Sequence, residues 1–312
     1  MAIRSDHEIV AIAERHYGVR FRQVASNEYR SLNGCPKCGD GGKGSRSDRF
    51  RLFIDEHPLV WCRRCDFREF IDQIDGSTPT REDILERRMR AMEARQQEQE
   101  RRLSALEKMH QCTDHIQYYH NVDFNEQAYE YWLSEGMDID TIAEYKLGYC
   151  LRCPTDYAHR PSYTIPVIIG GKLYNIRHRL IGGDQSDKYR PHMKGLPNVL
   201  FNADYLYQDN LDHILITEGE KKSIIAARYG FPNVGIMGKA GFDRTWAVKF
   251  KKFERVSVAL DPDATDKAAD IAKLFRGCGR VVRLPAKLDD MIVKYGATKE
   301  DIRWFIEQGV KI

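Results

Sequence analysis

The sequence lacks the features that would mark a membrane, secreted, motor or repeat protein. None of its apolar runs approaches the ~18 consecutive residues of a membrane-spanning helix, and its beginning, MAIRSDHEIV, is charged where a signal peptide would be apolar. No G-x-x-x-x-G-K-[ST] phosphate-binding loop is present, so this chain carries no helicase motor of that kind. No segment repeats at a period of about 20 to 50 residues. We expect a cytoplasmic protein without membrane association.

An excess of charge of one sign is also missing. The 312 residues include 49 Lys and Arg and 46 Asp and Glu, which gives a net charge of +3 at pH 7. This balance does not identify a nucleic-acid-binding protein, so any affinity for DNA must come from local patches. With 42% apolar residues, a chain of this length can form two compact units.

The cysteines point to a metal rather than to disulfides. Eight are present without secretory features, and four form two C-x-x-C pairs around the strand-like runs DRFRLFID and PLVWC, which predict a β-hairpin. Four thiolates complete the tetrahedral coordination of Zn²⁺ and leave no open position, so the zinc would be structural. His57 is then not needed as a ligand, and we interpret it as a residue of a surface turn. Four reduced, unliganded cysteines are the alternative. The predicted zinc ligands are Cys35, Cys38, Cys62 and Cys65.

The first two segments of the chain are a metal-binding module and a linker. We assign residues 1–78 to the module, whose first helix is expected to begin at Asp6 as N-cap and to end at Gly18. Residues 79–112 are predicted to form a helical linker, since 15 of the 28 residues from Arg81 to Lys108 are charged. Such a pattern is typical of a solvated helix with i,i+4 ion pairs, and a DNA-gripping role is the alternative.

The other two segments combine strands and helices. Residues 113–211 predict an α+β subdomain in which YTIPVII, KLYNIRHRL and NVLFN are strands. Residues 212–312 alternate strand-like and helix-like runs, which predicts a mainly parallel sheet flanked by helices. The expected fold class is therefore α/β, preceded by a small β module and a helical linker.

Acidic residues follow two strands of this predicted parallel sheet. Glu218 is the first acidic residue of the run ILITEGE, while Asp261 and Asp263 lie at the end of the run VALDPD. Parallel neighbours bring such ends to one edge, where α/β sheets bind ligands. Clustered carboxylates repel one another unless a cation joins them, so Mg²⁺ or Mn²⁺ is the expected occupant. Each motif alone is also compatible with an ordinary acidic loop.

The cysteine-containing segment resembles the zinc ribbon of phage and plasmid primases, whose pattern is C-P-x-C-G, D-R-F-R-F and W-x-C-x-x-C. The matching residues are CPKCGDGGKGSRSDRFRLF and VWCRRC, a stretch of about 35 residues. The resemblance implies that this module engages template DNA through cations and a stacking surface. The alternative is that the arginines of this module are ordinary solvated surface residues with no role in DNA binding. The candidate DNA-binding residues are Arg46, Arg49, Arg51, Trp61, Arg63 and Arg64.

The acidic motifs resemble the TOPRIM domain that primases share with topoisomerases and some nucleases. The resemblance matches Glu218, Asp261 and Asp263 to the acidic triad of that domain. The later run RLPAKLDDMIVKYG resembles a primase segment with two further aspartates, the second of which matches Asp289. Lys287 stands where the first would be, so the second metal position is weaker or differently built unless Asp290 compensates.

The residues before the acidic motifs resemble a primase subdomain that topoisomerases and nucleases lack. The run KLYNIRHRLIGGDQSDKYRPHMKGLPNVLFN matches its ordered block of a strand Arg, then K-Y, K-G and L-F-N. The resemblance implies a basic ridge that faces the metal edge and holds triphosphates and template backbone. Lys222 and Lys239, which follow predicted strands, are added to this set. The alternative is that they are ordinary exposed lysines that bind nothing. The candidates are Arg177, Arg179, Lys188, Tyr189, Lys194, Lys222 and Lys239.

Together these resemblances imply a DNA primase that makes short RNA primers from ribonucleoside triphosphates on single-stranded DNA. In such a nucleotidyltransferase a 3′-hydroxyl attacks the α-phosphorus of the next nucleotide and releases pyrophosphate. Asp261, Asp263 and Asp289 would hold magnesium, and Glu218 would act as ligand or proton acceptor. We expect a separate replicative helicase as partner and a monomer or weak oligomer. The compact size favours a mobile element such as a phage, which would place the protein in host cytoplasm.

Two other functions remain open from the sequence. A TOPRIM nuclease would use the same metals with water as nucleophile, and it would cleave nucleic acid without triphosphates. A non-catalytic accessory protein would bind single strands through its zinc ribbon and show no metal-dependent chemistry. A topoisomerase is not expected, because it would need a tyrosine nucleophile and large strand-gating domains, for which 312 residues leave no room.

Overall fold

A computed structural model describes residues 5–25, 27–39, 49–55, 57–74, 81–111, 125–152, 160–182, 189–237 and 241–312. The chain forms two compact units, Met1–Arg101 and Arg102–Ile312. The division into four segments at residues 78, 112 and 211 stays a prediction. In the part of the chain that is described, no helix combines the length and the apolar character needed to cross a membrane.

The first unit is built on an antiparallel sheet of five strands in sequence order. Its central pair is the predicted hairpin, with Phe50 opposite Cys62 and Phe53 opposite Leu59. Ten buried residues, with Phe50, Leu52 and Val60 among them, form its core. The strands are β1 (Phe21–Ala25), β2 (Glu28–Ser31), β3 (Phe50–Phe53), β4 (Leu59–Cys62) and β5 (Arg68–Phe70), and the helices of this segment are α1 (Asp6–Tyr17) and α2 (Ile71–Ile74).

The N-cap of α1 is Ser5, so the expectation that Asp6 caps this helix was wrong. The Ser5 side chain accepts a hydrogen bond from the Glu8 backbone, and the Glu8 carboxylate accepts one from the Ser5 N–H at 2.7 Å. This reciprocal capping box satisfies two donors at once, which a cap at Asp6 would not. The helix ends as predicted at Gly18, whose φ of 65° is a left-handed conformation that glycine adopts without strain.

The charged segment forms one long helix, α3 (Arg81–Gln111), which contains the boundary between the two units. Most of its described side chains are exposed, and Arg90 pairs with Glu86 one turn away. Two of the described residues of the helix are buried: Arg87, whose guanidinium lies 3.3 Å from Asp72, and Met109. The predicted helix is confirmed over this range.

The second unit contains an antiparallel sheet of four strands and a mainly parallel sheet of five. In the antiparallel sheet, Ser162 lies opposite Leu180 and Arg179 lies opposite Tyr189. The run NVLFN was predicted to be a strand, but it forms only an isolated bridge from Phe201 to Gly235. The preceding elements are α4 (Glu126–Ser134) and α5 (Ile139–Glu144), and the strands are β6 (Gly148–Cys150), β7 (Ser162–Ile169), β8 (Lys172–Leu180) and β9 (Tyr189–Pro191).

The parallel sheet has the strand order β11-β10-β12-β13-β14, in which only β14 runs antiparallel to its neighbour. Two large clusters of buried side chains flank it. The predicted parallel pairing is confirmed, with Thr217 opposite Ala259 at the ends of the two central strands. These elements are β10 (His213–Glu218), α6 (Glu220–Arg228), β11 (Asn233–Ile236), β12 (Arg255–Ala259), α7 (Thr265–Ala272), β13 (Gly279–Val281), α8 (Leu288–Val293), α9 (Lys299–Glu307) and β14 (Val310–Lys311).

Candidate functional site

The four predicted zinc ligands come together in the first unit. Their sulfur atoms all lie within 4.8 Å of one another, and both the Cys35–Cys65 and the Cys38–Cys62 pairs are 3.8 Å apart. Four sulfurs at ~2.3 Å from a central Zn²⁺ are ~3.8 Å apart in a regular tetrahedron. A disulfide would need a separation of ~2.05 Å instead. The geometry therefore fits zinc, and the predicted four-cysteine cluster is confirmed.

Backbone hydrogen bonds close the first knuckle and favour the thiolate form of Cys62, whereas burial raises the pKa of Cys35 to about 12. Gly39 donates its backbone N–H to the Cys35 carbonyl at 2.9 Å and has a φ of 67°, so the first knuckle closes with a left-handed residue. Burial raises the pKa of the Cys62 thiol, but hydrogen bonds from the backbone of Cys65 and Arg64 lower it below its usual value on balance. Thiolates accepting backbone hydrogen bonds are typical of structural zinc knuckles.

The candidate DNA-binding side chains beside the cysteines fall into two groups. Arg51 is 15% exposed and pairs with Glu28, so its charge is already engaged. Arg63 is exposed and lies over the Trp61 ring at 5.6 Å. Arg68 also lies over this ring, 5.2 Å from its centre, because β5 places it opposite Trp61. Arg49 and Arg64 are exposed, whereas Arg46 lies outside the described residues.

Arg68 was missed in the sequence, since the three-residue strand that carries it has no periodic pattern. It packs on the indole face while Trp61 donates its ring N–H to Asp66 at 2.9 Å. Asp66 also accepts a hydrogen bond from the Arg68 guanidinium at 2.7 Å. These contacts hold Trp61 and two arginines together beside the second cysteine pair.

The candidate catalytic carboxylates lie at the carboxyl ends of the parallel strands. Glu218 is the last residue of β10, and Asp261 follows β12, its direct neighbour. Asp263 is exposed in a short 3-10 helix, and Asp289 is 7% exposed in the first turn of α8. Burial and the nearby Asp261 charge raise the pKa of Glu218, although Lys222 lowers it in part.

Lysines bind to two of these carboxylates. The Lys222 ammonium lies 2.9 Å from one oxygen of Asp261 and 3.2 Å from the other. Lys287 lies 3.8 Å from the same carboxylate. Lys221 lies 2.6 Å from Asp289, and its attraction outweighs the effect of burial, so the pKa of Asp289 falls below its usual value.

The residues of the predicted basic ridge are paired with carboxylates too. Arg177 on β8 lies 3.0 Å from Glu220, two residues after Glu218. Arg179 lies 3.5 Å from Glu135 and 4.8 Å from the centre of the Tyr131 ring. Burial raises the pKa of Tyr189, which lies opposite Arg179, and Lys194 is exposed. Lys188 and Lys239 lie outside the described residues.

A cavity of about 140 Å³ lies beside the Arg177–Glu220 ion pair. Its walls include Tyr174 and Asn175 on β8 and Met237 after β11. Glu220 is 6% exposed, so its carboxylate is presented at the wall of the cavity rather than to bulk solvent.

The carboxylates of Glu218, Asp261, Asp263 and Asp289 form what we call the acidic edge. It offers oxygens to a divalent cation, but no three of these oxygens lie close together. Glu218 Oε2 and Asp289 Oδ1 are buried and have no hydrogen-bond partner, which suits a hard cation that prefers carboxylate oxygen. Among the described residues, only the cysteine quartet places three or more ligand atoms within 4.8 Å of one another. The donor set fits Mg²⁺ or Mn²⁺ in its chemistry, while lysines hold part of it.

Comparison with solved structures identifies the type of fold. The chain is similar to the crystal structure of the Aquifex aeolicus primase, which comprises zinc-binding and RNA polymerase domains, with a TM-score of 0.53 and 17% sequence identity. The match covers 99% of this chain and 85% of the Aquifex chain. No family model and no curated protein matches the chain by sequence. The likeness therefore shows a mixed α/β, primase-like fold, and the four clustered cysteines of this chain separately indicate a zinc-binding site.

Proposed function

We propose that this protein is a DNA primase of the phage or plasmid type, with a zinc ribbon and a TOPRIM catalytic domain. It would synthesise short RNA primers from ribonucleoside triphosphates on single-stranded DNA. The observation that carries the proposal is the combination in one chain of a four-cysteine zinc site and a carboxylate edge at the ends of parallel strands. The primase-like fold, which spans nearly the whole chain, supports the same function.

The acidic edge would bind the metal on which nucleotidyl transfer depends. Glu218, Asp261, Asp263 and Asp289 are the residues that would hold Mg²⁺ or Mn²⁺, which would supply charge stabilisation at the transferring phosphate. Glu218 has a buried, unpartnered oxygen and a raised pKa, so it would also accept the proton of the attacking 3′-hydroxyl.

The residues of β8 and β9 would position the nucleotide and the template. Arg177 and Arg179 project from one face of β8, since they are two residues apart on a strand. They would bind phosphate oxygens when substrate competes for their present carboxylate partners, and Tyr189 and Lys194 would extend the same surface. The cavity beside Arg177 would take part of the incoming ribonucleotide.

The zinc ribbon would select the start site on the template. Trp61 offers a face on which a base can stack, and Arg49, Arg63, Arg64 and Arg68 carry charge for the phosphate backbone. Arg51 would contribute less than these, because it is paired with Glu28. A separate helicase, a cytoplasmic location and a monomeric or weakly associating state belong to the same proposal.

Primer synthesis on a mixed-sequence single-stranded DNA tests the proposal directly. Zinc-loaded protein is incubated with labelled ribonucleotides and Mg²⁺, and the products are resolved on a denaturing gel. We expect short RNAs from wild type, none from Asp261→Ala, and wild-type amounts from Asp270→Asn. Asp270 is the matched control, because its carboxylate is 59% exposed and pairs only locally with Lys273.

The same gel separates the rival functions. Degradation of the template without RNA synthesis, lost in Asp261→Ala, would establish a TOPRIM nuclease instead. Binding of single strands with neither synthesis nor cleavage, on templates that cover all trinucleotide start sites, would contradict the proposal and favour an accessory protein.

A further inference from the structure

The Asp261 carboxylate is occupied by a cation that belongs to the chain itself. Lys222 approaches both of its oxygens, at 2.9 and 3.2 Å, and the two side chains are 15% and 10% exposed. A lysine in this position takes the face of the carboxylate on which a metal ion would otherwise bind. Because Lys222 lies in the first turn of α6, which begins at Glu220, the ammonium is held by a helix rather than by a loop.

A second lysine holds Asp289 in the same way. Lys221 lies 2.6 Å from Asp289 Oδ2 and also binds Glu135, and its side chain is 19% exposed. Lys287 differs from both, because it is 55% exposed and lies 3.8 Å from Asp261. Two of the three lysines at this edge are therefore partly buried ion-pair partners, and the third is mostly exposed to solvent.

The charges of the edge almost cancel before any ion binds. The six carboxylates that line it are matched by five cations, which leaves one net negative charge. Two divalent ions would turn this into three positive charges in a half-buried site, whereas one ion leaves a single positive charge. The acidic groups are Glu135, Glu218, Glu220, Asp261, Asp263 and Asp289, and the basic groups are Arg177, Arg179, Lys221, Lys222 and Lys287.

We propose that Lys222 is a built-in counter-cation that takes the place of one divalent ion, so that the edge binds a single Mg²⁺ or Mn²⁺ per chain. Glu218 Oε2, buried and without a hydrogen-bond partner, is an oxygen that remains for that ion. Lys222 acts as a positioning residue, since it contacts Asp261 rather than a reacting group. What a single ion means for nucleotidyl transfer rests on the primase function proposed above, but the number of ions does not.

The number of bound Mn²⁺ ions tests the inference without any turnover. Zinc-loaded full-length protein is titrated with Mn²⁺, and free Mn²⁺ is measured by electron paramagnetic resonance. We expect one Mn²⁺ per wild-type chain and two per Lys222→Met chain, since the methionine keeps the apolar stem and removes the ammonium that approaches both Asp261 oxygens. Lys222→Arg keeps the charge and should remain at one.

Lys294→Met is the matched control. Lys294 also pairs with an aspartate, Asp290 at 2.9 Å, but it is 65% exposed and does not contact Asp261 or Asp289. The control should bind one Mn²⁺. Two ions on the wild type, or one ion on a folded Lys222→Met chain, would overturn the inference. If Lys222→Met does not fold, the wild-type count still decides, because two ions contradict a built-in counter-cation.

The result also separates this inference from the proposed function. One ion on the wild type and two on Lys222→Met, with no primer synthesis in the gel assay, would retain the counter-cation and refute the primase. Two ions on a wild-type protein that synthesises primers would refute the counter-cation and retain the primase. No Mn²⁺ on the wild type would overturn both, since the proposed chemistry needs the metal.

Discussion

The Lys222–Asp261 ion pair should stabilise the parallel sheet measurably in the absence of a divalent ion. At 2.9 Å, with both side chains largely buried, the attraction is roughly 6 kcal/mol at an effective dielectric constant of about 20, before desolvation is subtracted. Removing one partner of a buried pair typically costs ~3–5 kcal/mol, because the other charge stays buried without compensation.

The two single substitutions should differ in cost. Lys222→Met leaves Asp261 beside Glu218, and each carboxylate then disfavours ionisation of the other, so we expect a loss of about 3 kcal/mol. Asp261→Asn leaves Lys222 without its carboxylate partner, but it also relieves the repulsion that raises the pKa of Glu218. The expected loss of stability is therefore smaller, about 2 kcal/mol. The double variant should lose about 2 kcal/mol less stability than the sum of the losses in the two single variants.

Hydrogen exchange followed by mass spectrometry measures this locally, because the amides of β10 and β12 report the opening of the sheet that carries the pair. Zinc is kept saturated and magnesium is left out. Lys273→Met is the control, since its pair with Asp270 is mostly exposed and should contribute less than ~0.5 kcal/mol. The reasoning would be refuted if the loss of stability in the double variant equalled the sum of the two single losses. It would also be refuted if Lys222→Met lost less stability than Asp261→Asn.

Three further predictions concern pH and zinc. Ion binding needs an ionised Glu218, whose raised pKa should make Mn²⁺ affinity fall as pH drops through a range above the ordinary value of 4.5, and Lys222→Met should move this limb to higher pH. Burial and two arginines lower the pKa of His213 from 6.5 to about 4, so the folded state should lose stability as pH falls from 6.5 towards 4, and His213→Gln should remove that slope in thermal melts. Cys38→Ser should lose the bound zinc in a colorimetric assay and unfold the first unit, since structural zinc contributes about 10–16 kcal/mol in small modules, and retention of a full zinc equivalent would contradict the four-thiolate site.

The sequence predicted those parts of the fold that have a regular pattern. The alternation of apolar runs and helices indicated the parallel pairing of β10 with β11 and β12, and the C-x-x-C spacing indicated the zinc cluster. Elements without such a pattern were missed. β1 is exposed at four of its five residues, and β14 has only two, so neither shows a period that sequence reasoning can use.

The run NVLFN shows why an apolar segment can be misread. Leu200 and Phe201 are buried as a strand would bury them, but Asn202 has a φ of 57° and ends the extended backbone at once. The apolar side chains are satisfied by the clusters that flank the parallel sheet, so burial does not require strand pairing here. Tertiary packing therefore overrode local propensity.

The candidate site was less predictable because its charges are paired across long sequence separations. Spacing alone placed Glu218 and Asp261 after neighbouring strands, but nothing in the sequence linked Lys221 to Glu135, which lies 86 residues earlier. Lys222 and Arg177 were expected to face nucleotide, and the structure pairs them with Asp261 and Glu220. Ion pairing depends on the distances between helix and strand ends, which a residue pattern does not contain.

These pairings imply that the two units hold their functional side chains by different means. The ribbon depends on one ion that fixes four thiolates, so its order is lost in a single step when zinc is removed. The acidic edge depends on several lysine and arginine contacts that are largely buried, and buried pairs are screened by salt much less than exposed ones. Moderate salt should therefore weaken template binding by the exposed ribbon arginines well before it disturbs the geometry of the acidic edge. Under the proposed primase function, an early loss of primer synthesis with rising salt would report on the exposed cations, which are the ribbon arginines and Lys194. A loss with falling pH would report on Glu218.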